Sequence, residues 1–179
     1  HILRYLKGTV HLRLQLGGAK KYPELSAMVD SDWAGDKSRR SRSGFIIFLN
    51  GVPVIWSSKL QKCIALSSTE AEYIAVTAAA RMTIWARQIL EELGFKQNGP
   101  TEISEDNKAC IDIAVSSKSH PSVKHIDVRH HFIRERIQDI KDIKLAKVGT
   151  DAMVADLLTK QLLYPIFKKH RDSLKLIQN

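Results

Sequence analysis

Residues 44–56 read GFIIFLNGVPVIW and contain the clearest folding signal in the chain. Gly44–Leu49 and Val52–Trp56 are apolar, β-prone runs, and the Asn-Gly dipeptide between them is typical of a two-residue hairpin turn. We therefore predict two antiparallel, neighbouring strands. Because proline has no N–H group for a ladder hydrogen bond, Pro53 indicates either an edge strand or the point at which that strand begins.

The sequence on either side of this hairpin predicts the rest of a mixed sheet. Short apolar runs favour strands at Leu25–Asp30, Thr101–Glu105 and Lys144–Val148. An antiparallel trio followed by crossover units predicts an α/β fold in which a five-stranded mixed β-sheet is flanked by α-helices. The predicted helices are 1–6, 68–93, 107–116, 127–140, 152–159 and 164–177, and residues 10–16 alternate like a further strand.

The longest predicted helix has its own start and stop signals. Ser67 with Glu70 fits the spacing of a capping box, and Ser68 with Glu72 is an alternative cap. Gly94 is expected to end the helix. The buried face is predicted from apolar residues at steps of three and four. These residues are Ala71, Ile74, Ala75, Ala78, Met82, Trp85, Ile89 and Leu93.

The composition is that of an ordinary globular domain and excludes collagen-like, mucin-like and acidic disordered classes. The 179 residues include 28 Lys and Arg against 19 Asp and Glu, a formal net charge of +9. This surplus favours a polyanionic partner such as nucleic acid, or an inert basic surface. Cys63 and Cys110 are too few for a disulfide scaffold, so we expect an intracellular protein. No apolar run approaches the roughly 18 residues of a membrane span, and a signal-peptide pattern is absent.

Four acidic residues lie where strands end or helices begin. Asp30 and Asp106 end strands that we predict to be parallel neighbours, so both project from one sheet edge. Glu72 lies in the first turns of the long helix, and Asp156 on the predicted helix 152–159 completes the ring. Crowded carboxylates repel one another unless cations neutralise them. Mg²⁺ prefers oxygen ligands, and two such ions can activate a water and stabilise the leaving oxygen of a phosphodiester. The alternative is that each acid is a helix cap or a surface residue.

Two nearby acids compete with this assignment. Glu70 lies about 200° around the helix from Glu72 and is the better capping partner. Asp32 would point the same way as Asp30 if the strand continued. The Trp-Ala-Gly sequence that follows indicates that the strand breaks there, so Asp30 is the preferred residue.

Six stretches around these acids form an ordered set of motifs that resembles a known family. They are VDSDWAGD (29–36), SRRSRSGFIIFLNGVPVIWSSKLQ (38–61), ALSSTEAEYIA (65–75), EDNKAC (105–110), VKHIDVRHHFIRE (123–135) and VADLLTK (154–160). Together they resemble the ribonuclease H domain of copia-type (Pseudoviridae) long-terminal-repeat retrotransposon Pol polyproteins. The first residues, HILRYLKGT, resemble the tail of the preceding reverse transcriptase.

The resemblance implies a ribonuclease H-like fold and a metal-dependent endoribonuclease. Such an enzyme hydrolyses the RNA strand of RNA–DNA hybrids during reverse transcription with two Mg²⁺ or Mn²⁺ ions. Asp30, Glu72, Asp106 and Asp156 are then the catalytic and metal-binding residues, with Asp30 shared between the ions, Glu72 and Asp106 on one, and Asp156 on the other. Two rivals stay open: a catalytically silent module that binds hybrid or double-stranded RNA, and a structural support for reverse transcriptase.

The resemblance also sets expectations for domains and partners. Residues 1–20 correspond to the reverse transcriptase tail, 21–160 to the ribonuclease H domain and 161–179 to a C-terminal helical extension. The expected partners are an RNA–DNA hybrid and the reverse transcriptase portion of the same polyprotein, with no membrane partner and an open oligomeric state. The expected location is the cytoplasmic retroelement particle, with the nucleus as an alternative.

Contacts to the nucleic acid are expected from basic residues for phosphates and from short polar side chains for the backbone or sugars. The candidates are Arg39, Arg40, Arg42, Ser68, Thr69, Asn107, Arg129 and Arg134.

Histidine and tryptophan positions give weaker signals. The loop 147–151 lacks the histidine that well-known cellular ribonucleases H carry before their last helix, which implies weaker proton shuttling. The three histidines at 125, 130 and 131 favour a packed or substrate-facing helix over a metal site. Trp56 and Trp85 are expected in the core, whereas for Trp33 both core packing and base stacking stay possible interpretations.

Overall fold

A five-stranded mixed sheet forms the centre of the protein in a computed structural model that describes residues 2–17, 22–116 and 127–178. Along the chain, the first three strands of this sheet are antiparallel neighbours, and its last two strands run parallel to the first of the three. This confirms the predicted fold class. In spatial order the strands are β4 (Val52–Leu60), β3 (Arg42–Leu49), β2 (Leu25–Asp32), β5 (Thr101–Glu105) and β6 (Ile143–Lys147).

The hairpin between β3 and β4 forms at the predicted Asn-Gly pair. Asn50 has φ 54° and Gly51 has φ 75°, the left-handed values that a tight hairpin turn requires of both central residues. The Asn50 N–H also donates a hydrogen bond to the Glu24 carbonyl at 2.9 Å, which ties the turn to the start of β2. Pro53 lies in β4, the outermost strand, as its missing N–H predicts.

Helices cover both faces of the sheet, and two short strands pair outside it. Within the described residues, none of the helices combines the length and apolar character that crossing a bilayer needs. The helices are α1 (Ile2–Thr9), α2 (Ser68–Glu92), α3 (Lys108–Val115), α4 (Asp127–Arg134) and α5 (Tyr164–Ser173), and the outer strands are β1 (Leu12–Leu14) and β7 (Leu176–Gln178).

The C-terminal segment differs from the helix predicted over 164–177. Helix α5 ends at Ser173, and Lys175 adopts φ 57°, a left-handed conformation that a continuing helix excludes. The following residues form β7, which pairs antiparallel with β1. The rings of Tyr5 and Phe167 also meet edge to face at 5.5 Å. The two ends of the described chain therefore pack against each other.

Two other predicted helices have different local geometry. The segment predicted as helix 152–159 consists of two 3₁₀ turns, Thr150–Ala152 and Val154–Leu158. The helix predicted over 127–140 is α-helical only to Arg134 and continues as a π-helical turn, Glu135–Asp139. Sequence periodicity alone does not separate these tighter and wider turns from an α-helix.

The buried face of α2 is rotated relative to the predicted apolar stripe. The large residues Trp85, Ile89 and Leu93 are exposed, whereas small residues on the neighbouring face are fully buried. Small side chains let the helix approach the sheet closely, and bulky ones lie at the rim. The expectation that Trp56 and Trp85 lie in the core is wrong, since they are 60% and 49% exposed. The fully buried small residues of α2 include Ala71, Ala75, Ala79, Ala80 and Thr83.

Candidate active site and metal centre

The carboxyl ends of β2 and β5 meet at one end of the sheet because the two strands are parallel neighbours. Asp30 lies near the end of β2 and Asp106 directly follows β5. Helix α2 begins at the same end, since β4 runs antiparallel to β3 and its carboxyl end leads into the helix. Glu72 lies in the first turns of that helix, beside both aspartates.

The start of α2 is fixed by a side-chain cap. Ser67 is the N-cap residue, and its hydroxyl accepts a hydrogen bond from the Glu70 N–H at 3.1 Å. The Glu70 carboxylate accepts from the Leu66 N–H at 2.7 Å, one residue earlier than an ideal capping box. Glu70 is thereby used in the cap, and Glu72 faces the site, as its angular position predicts.

Three carboxylates come together at this edge. Single ligand oxygens of Asp30, Glu72 and Asp106 all lie within 4.8 Å of one another. Asp30 is 0% exposed and Glu72 is 6% exposed. The Glu72 Oε2 atom is buried and makes no hydrogen bond to any described residue. This grouping of acids is the one that the strand ends and the helix start predict.

Asp156 reaches the site through a lysine. The Lys160 ammonium donates to Asp156 Oδ1 and to Asp30 Oδ1, at 2.9 Å in both cases. Asp156 lies in the second 3₁₀ turn, which packs on the face of the sheet opposite α2. The fourth predicted acid therefore adjoins Asp30 but is not part of the three-carboxylate group.

A close approach at Gly44 allows that turn to pack. Gly44 pairs with Asp30 across β2 and β3. A Cβ atom at this position would lie 2.6 Å from the Thr159 Cγ2 atom and 2.8 Å from the Leu158 Cβ atom. Such separations are far inside van der Waals contact, so only glycine leaves room for the segment that carries Asp156.

Sequence reasoning missed two residues that position Asp30. The buried Thr159 hydroxyl donates a hydrogen bond to Asp30 Oδ2, and Lys160 contacts Oδ1. Thr159 follows Asp156 by three residues and Lys160 follows it by four, and these spacings bring side chains to one side of a helical turn. Those spacings are the signal that would have identified them.

The loop that lacks a histidine supplies a hydroxyl instead. Thr150 Oγ1 donates to Asp106 Oδ2 at 2.9 Å. The Val148 N–H donates to the Glu105 carbonyl at 3.0 Å, which fixes the loop to the end of β5. Asp106 is thus oriented from the loop after β6.

A further acid, Glu105, ends β5 directly before Asp106 and is buried beside the three carboxylates. Glu105 is 0% exposed, and its Oε1 atom accepts from the Asn107 N–H at 3.0 Å. Its Oε2 atom is buried without a hydrogen-bond partner among the described residues. The sequence gives no cue to this burial beyond the alternation of side chains along β5, which places Glu105 on the same face as Ile103.

Burial and mutual repulsion raise the carboxyl pKa values. Burial raises the pKa of Asp30 to about 6, although hydrogen bonds from Thr159 and Lys160 act against the rise. Burial, followed by the charges of Glu105 and Asp30, raises the pKa of Glu72 well above its ordinary range. Burial disfavours the Lys160 cation, but its hydrogen bonds to the two aspartates raise its pKa overall. The site strongly favours additional positive charge.

The donor set fits a divalent cation. Its atoms are all carboxylate oxygens, the ligand type that Mg²⁺ and Mn²⁺ prefer. The unpartnered Glu72 Oε2 atom and the repulsion among the acids are both relieved by a bound cation. Asp30, Glu72 and Asp106 are therefore the residues that could hold such an ion together.

Comparisons with known proteins show what this chain is similar to. No protein-family model matches the chain. The chain is 44% identical over 160 residues to the retrovirus-related Pol polyprotein from transposon TNT 1-94 of Nicotiana tabacum, covering 89% of the chain and 12% of that protein. It is 39% identical over 170 residues to the Pol polyprotein from transposon RE1 of Arabidopsis thaliana, covering 93% of the chain and 11% of that protein. The chain is homologous to one segment of plant-transposon Pol polyproteins. The copia-type resemblance is consistent with these relatives, of which the chain spans only about an eighth.

Solved structures identify the fold as that of ribonuclease H. LC11-RNase H1 in complex with an RNA/DNA hybrid superposes with a TM-score of 0.56 at 14% identity, covering 76% of this chain and 94% of that one. An N-terminal ribonuclease H domain from Mycobacterium tuberculosis superposes with a TM-score of 0.52 at 12% identity, covering 84% and 98%. These structures show the fold, and the Pol relatives show the family of the segment.

Within this ribonuclease H fold, the predicted nucleic-acid contacts form two groups. The first surrounds the acids: the turn with exposed Arg39 and Arg40 leads into Arg42 at the start of β3, which pairs with the end of β2. Ser68 and Thr69 lie in the first turn of α2, just before Glu72. Asn107 accepts a hydrogen bond from the Cys110 N–H at 3.1 Å as the N-cap of α3.

The second group lies on α4. Arg129 is half-buried there, and an Arg134 guanidinium nitrogen lies 3.2 Å from the His130 Nδ1 atom. His130 is buried and stacks on Tyr73 at 5.9 Å. This part of α4 is thus packed against α2, as favoured for the histidine segment, and His125 lies outside the described residues.

Trp33 joins two loops at the site. Its indole N–H donates to the Ala65 carbonyl at 3.0 Å, and the side chain is 49% exposed. The bond ties the loop after β2 to the loop before α2. Trp33 therefore makes a structural contact and is still about half exposed.

Proposed function

We propose that the chain is a metal-dependent endoribonuclease that hydrolyses the RNA strand of RNA–DNA hybrids during retrotransposon reverse transcription. The observation that carries this proposal is the group formed by Asp30, Glu72 and Asp106, with oxygens within 4.8 Å of one another at the end of a ribonuclease H sheet. Asp156 adjoins the group through Lys160.

The four acids have distinct roles in this proposal. Asp30, Glu72 and Asp106 would hold one Mg²⁺ or Mn²⁺ ion, and Asp30 and Asp156 would hold a second. The two ions supply Lewis acidity that favours attack by water on the phosphodiester and stabilises the leaving oxygen. Thr150 and Thr159 orient Asp106 and Asp30 through their hydroxyl groups, which keeps the carboxylate oxygens in place.

The substrate class is supported by the surroundings of the acids. Arg39, Arg40 and Arg42 lie at the same end of the sheet, where they would contact phosphates without reading sequence. Ser68 and Thr69 present hydroxyl groups beside Glu72, suited to the backbone or sugars of a hybrid. The structural relative LC11-RNase H1 was solved with an RNA/DNA hybrid. The reverse transcriptase portion of the same polyprotein is the proposed protein partner, since the relatives are whole Pol polyproteins.

The test is cleavage of a labelled RNA–DNA hybrid by the full chain in Mg²⁺ and in Mn²⁺. We expect cleavage of the RNA strand only, reduced at least about 10³-fold by Asp106→Asn. The matched control is Asp112→Asn, which changes an exposed acid on α3 and should leave the rate unchanged. Hybrid binding without cleavage in either metal would instead support the silent binding module, and its strength should fall steeply with salt.

A further inference from the structure

Lys160 is the basic residue at the centre of the acidic site. Its Nζ atom lies 2.9 Å from Asp30 Oδ1 and 2.9 Å from Asp156 Oδ1. The Asp30 side chain is fully buried and that of Asp156 is 7% exposed, whereas the lysine side chain keeps 33% of its surface exposed. One cation therefore joins two nearly buried carboxylates from different parts of the chain.

The backbone holds the lysine in this position. The Lys160 N–H donates to the Asp156 carbonyl at 3.0 Å, which closes the turn that carries both residues. The adjacent Thr159 hydroxyl donates to the other oxygen of Asp30. The turn thus places the Lys160 backbone beside the aspartate pair, and the side chain carries the ammonium group to both carboxylates.

The other side of Asp30 is different. Asp30, Glu72 and Asp106 approach within 4.8 Å of one another. In residues 2–17, 22–116 and 127–178, no ion pair joins Glu72 or Asp106 to a basic side chain. Of the four acids, Asp30 and Asp156 are thus the two that pair with a basic side chain in the part of the chain that the structure describes.

We propose that Lys160 is a positioning residue whose ammonium group takes the cation position of the Asp30–Asp156 pair, so that a divalent ion binds there only by displacing it. The inference rests on the proposed two-ion function and deepens it. Binding is then ordered: the first ion binds at Asp30, Glu72 and Asp106, and the second binds more weakly. Before the second ion binds, Lys160 keeps the two aspartates together.

The test counts bound Mn²⁺ by electron paramagnetic resonance of the free ion, on the full chain without nucleic acid. We expect one tight site and a second site at least about tenfold weaker in the wild type. Lys160→Met removes the charge and keeps the length, and should tighten the second site about tenfold while changing the first less. Lys160→Arg keeps the charge and should bind like the wild type.

A matched control comes from the same spacing on the surface. Lys168 pairs with Asp172 at 2.6 Å, also four residues apart, with both side chains about half exposed. Lys168→Met should leave both Mn²⁺ affinities unchanged. Equal second-site affinity in the wild type and Lys160→Met would overturn the proposal.

A second measurement does not depend on the folding of a Met variant. In the wild type labelled with ¹³C-lysine, the Lys160 Cε signal is assigned by its loss in Lys160→Arg. Its main shift should come with the second equivalent of Mg²⁺, because the first ion affects Lys160 only through Asp30. A shift complete at the first equivalent, or no shift once both sites are filled, contradicts the proposal.

The two proposals fail separately. RNA-strand cleavage that depends on Asp106, together with unchanged Mn²⁺ binding in Lys160→Met, overturns the lysine proposal alone. The expected Mn²⁺ affinities without any cleavage overturn the nuclease proposal alone. Absence of Mn²⁺ binding in every variant overturns both.

Discussion

Asp30 has acidic neighbours on two sides, and the two sides are built differently. On one side Glu72 and Asp106 approach it without a basic partner among the described residues. On the other side Asp156 approaches it through Lys160. Crowded buried carboxylates are unfavourable by themselves, whereas charge-assisted hydrogen bonds stabilise the second arrangement. Within the described residues, one side of the site therefore has no basic side chain paired with its acids, whereas the other has Lys160.

The largest expected effect is on the pH dependence of stability. It comes from Glu105, the buried acid beside Asp106 on the side of the site without a basic partner among the described residues. Burial, with the charges of Asp106 and Asp30, raises the pKa of Glu105 from its ordinary value of 4.5 to about 8. Between these values the folded chain binds more protons than the unfolded chain, so stability falls as pH rises through this window. Glu105→Gln has no proton to lose and keeps an oxygen for the Asn107 N–H. We expect the variant to gain about 3 kcal/mol over the wild type between pH 5 and pH 9.

The measurement is urea unfolding at pH 5, 7 and 9 without divalent ions. Glu102→Gln is the control on the same strand, since Glu102 is partly exposed and pairs with Lys144 at 2.9 Å. Its stability should follow the wild type at each pH. Parallel pH profiles for Glu105→Gln and the wild type would show that Glu105 carries no raised pKa.

The next largest effect comes from a steric change on the other side of the site, where Asp156 and Lys160 lie. Gly44→Ala places a Cβ atom 2.6 Å from the Thr159 Cγ2 atom and 2.8 Å from the Leu158 Cβ atom. The turn with Asp156 must then move away from the sheet, so we expect a loss of about 2 kcal/mol in unfolding free energy. Cleavage of the hybrid should fall with it, since Asp156 no longer adjoins Asp30.

Urea unfolding and hybrid cleavage check this prediction together. Gly8→Ala is the control, because an added Cβ in α1 meets no atom within 4 Å. It should leave both quantities unchanged or raise stability slightly, as alanine favours a helix. A Gly44→Ala variant with wild-type stability and cleavage would show that the turn tolerates the added atom.

The parts of the fold that the sequence predicts are those decided by local chemistry. The Asn-Gly turn needs two left-handed residues, and Asn50 and Gly51 supply them. Asp30 and Asp106 are predicted as neighbours because parallel strands end at one edge. Tertiary packing decides the remainder. Trp85 is exposed because the close contact of α2 with the sheet selects small side chains, which an apolar stripe does not reveal.

The same distinction holds within the site. The four acids are predicted, but their partners are not. The spacing of Thr159 and Lys160 from Asp156 is visible in the sequence, but their contact with Asp30 is not. That contact depends on a 3₁₀ turn that packs against Gly44, a residue distant in the sequence. Strand β7 likewise forms because β1 is available to pair with it, after Lys175 ends the preceding helix. These features depend on segments that are distant in the sequence.

The smallest expected effect compares the two sides directly by removing one acid from each. Asp156→Asn leaves Lys160 with one carboxylate in place of two, and should cost about 1–2 kcal/mol in unfolding free energy at pH 7 without divalent ions. Glu72→Gln should change stability by less than about 0.5 kcal/mol, because its raised pKa keeps that carboxyl neutral at pH 7 and glutamine mimics the neutral form. The two acids then differ in what they contribute to the free energy of unfolding, although both take part in the proposed reaction.

Asp172→Asn is the control that shows how much stability is lost when an exposed ion pair is broken, without any effect of burial. It breaks a Lys–Asp pair of the same four-residue spacing on the surface, where the expected cost is below about 0.5 kcal/mol.

Adding Mg²⁺ should reverse the order of stability of the two site variants. It should stabilise the wild type and Asp156→Asn, which both keep Asp30, Glu72 and Asp106, but not Glu72→Gln. Equal stabilisation of both variants by Mg²⁺ would mean that the two sides bind the first ion alike, and the contrast around Asp30 would then be one of structure alone.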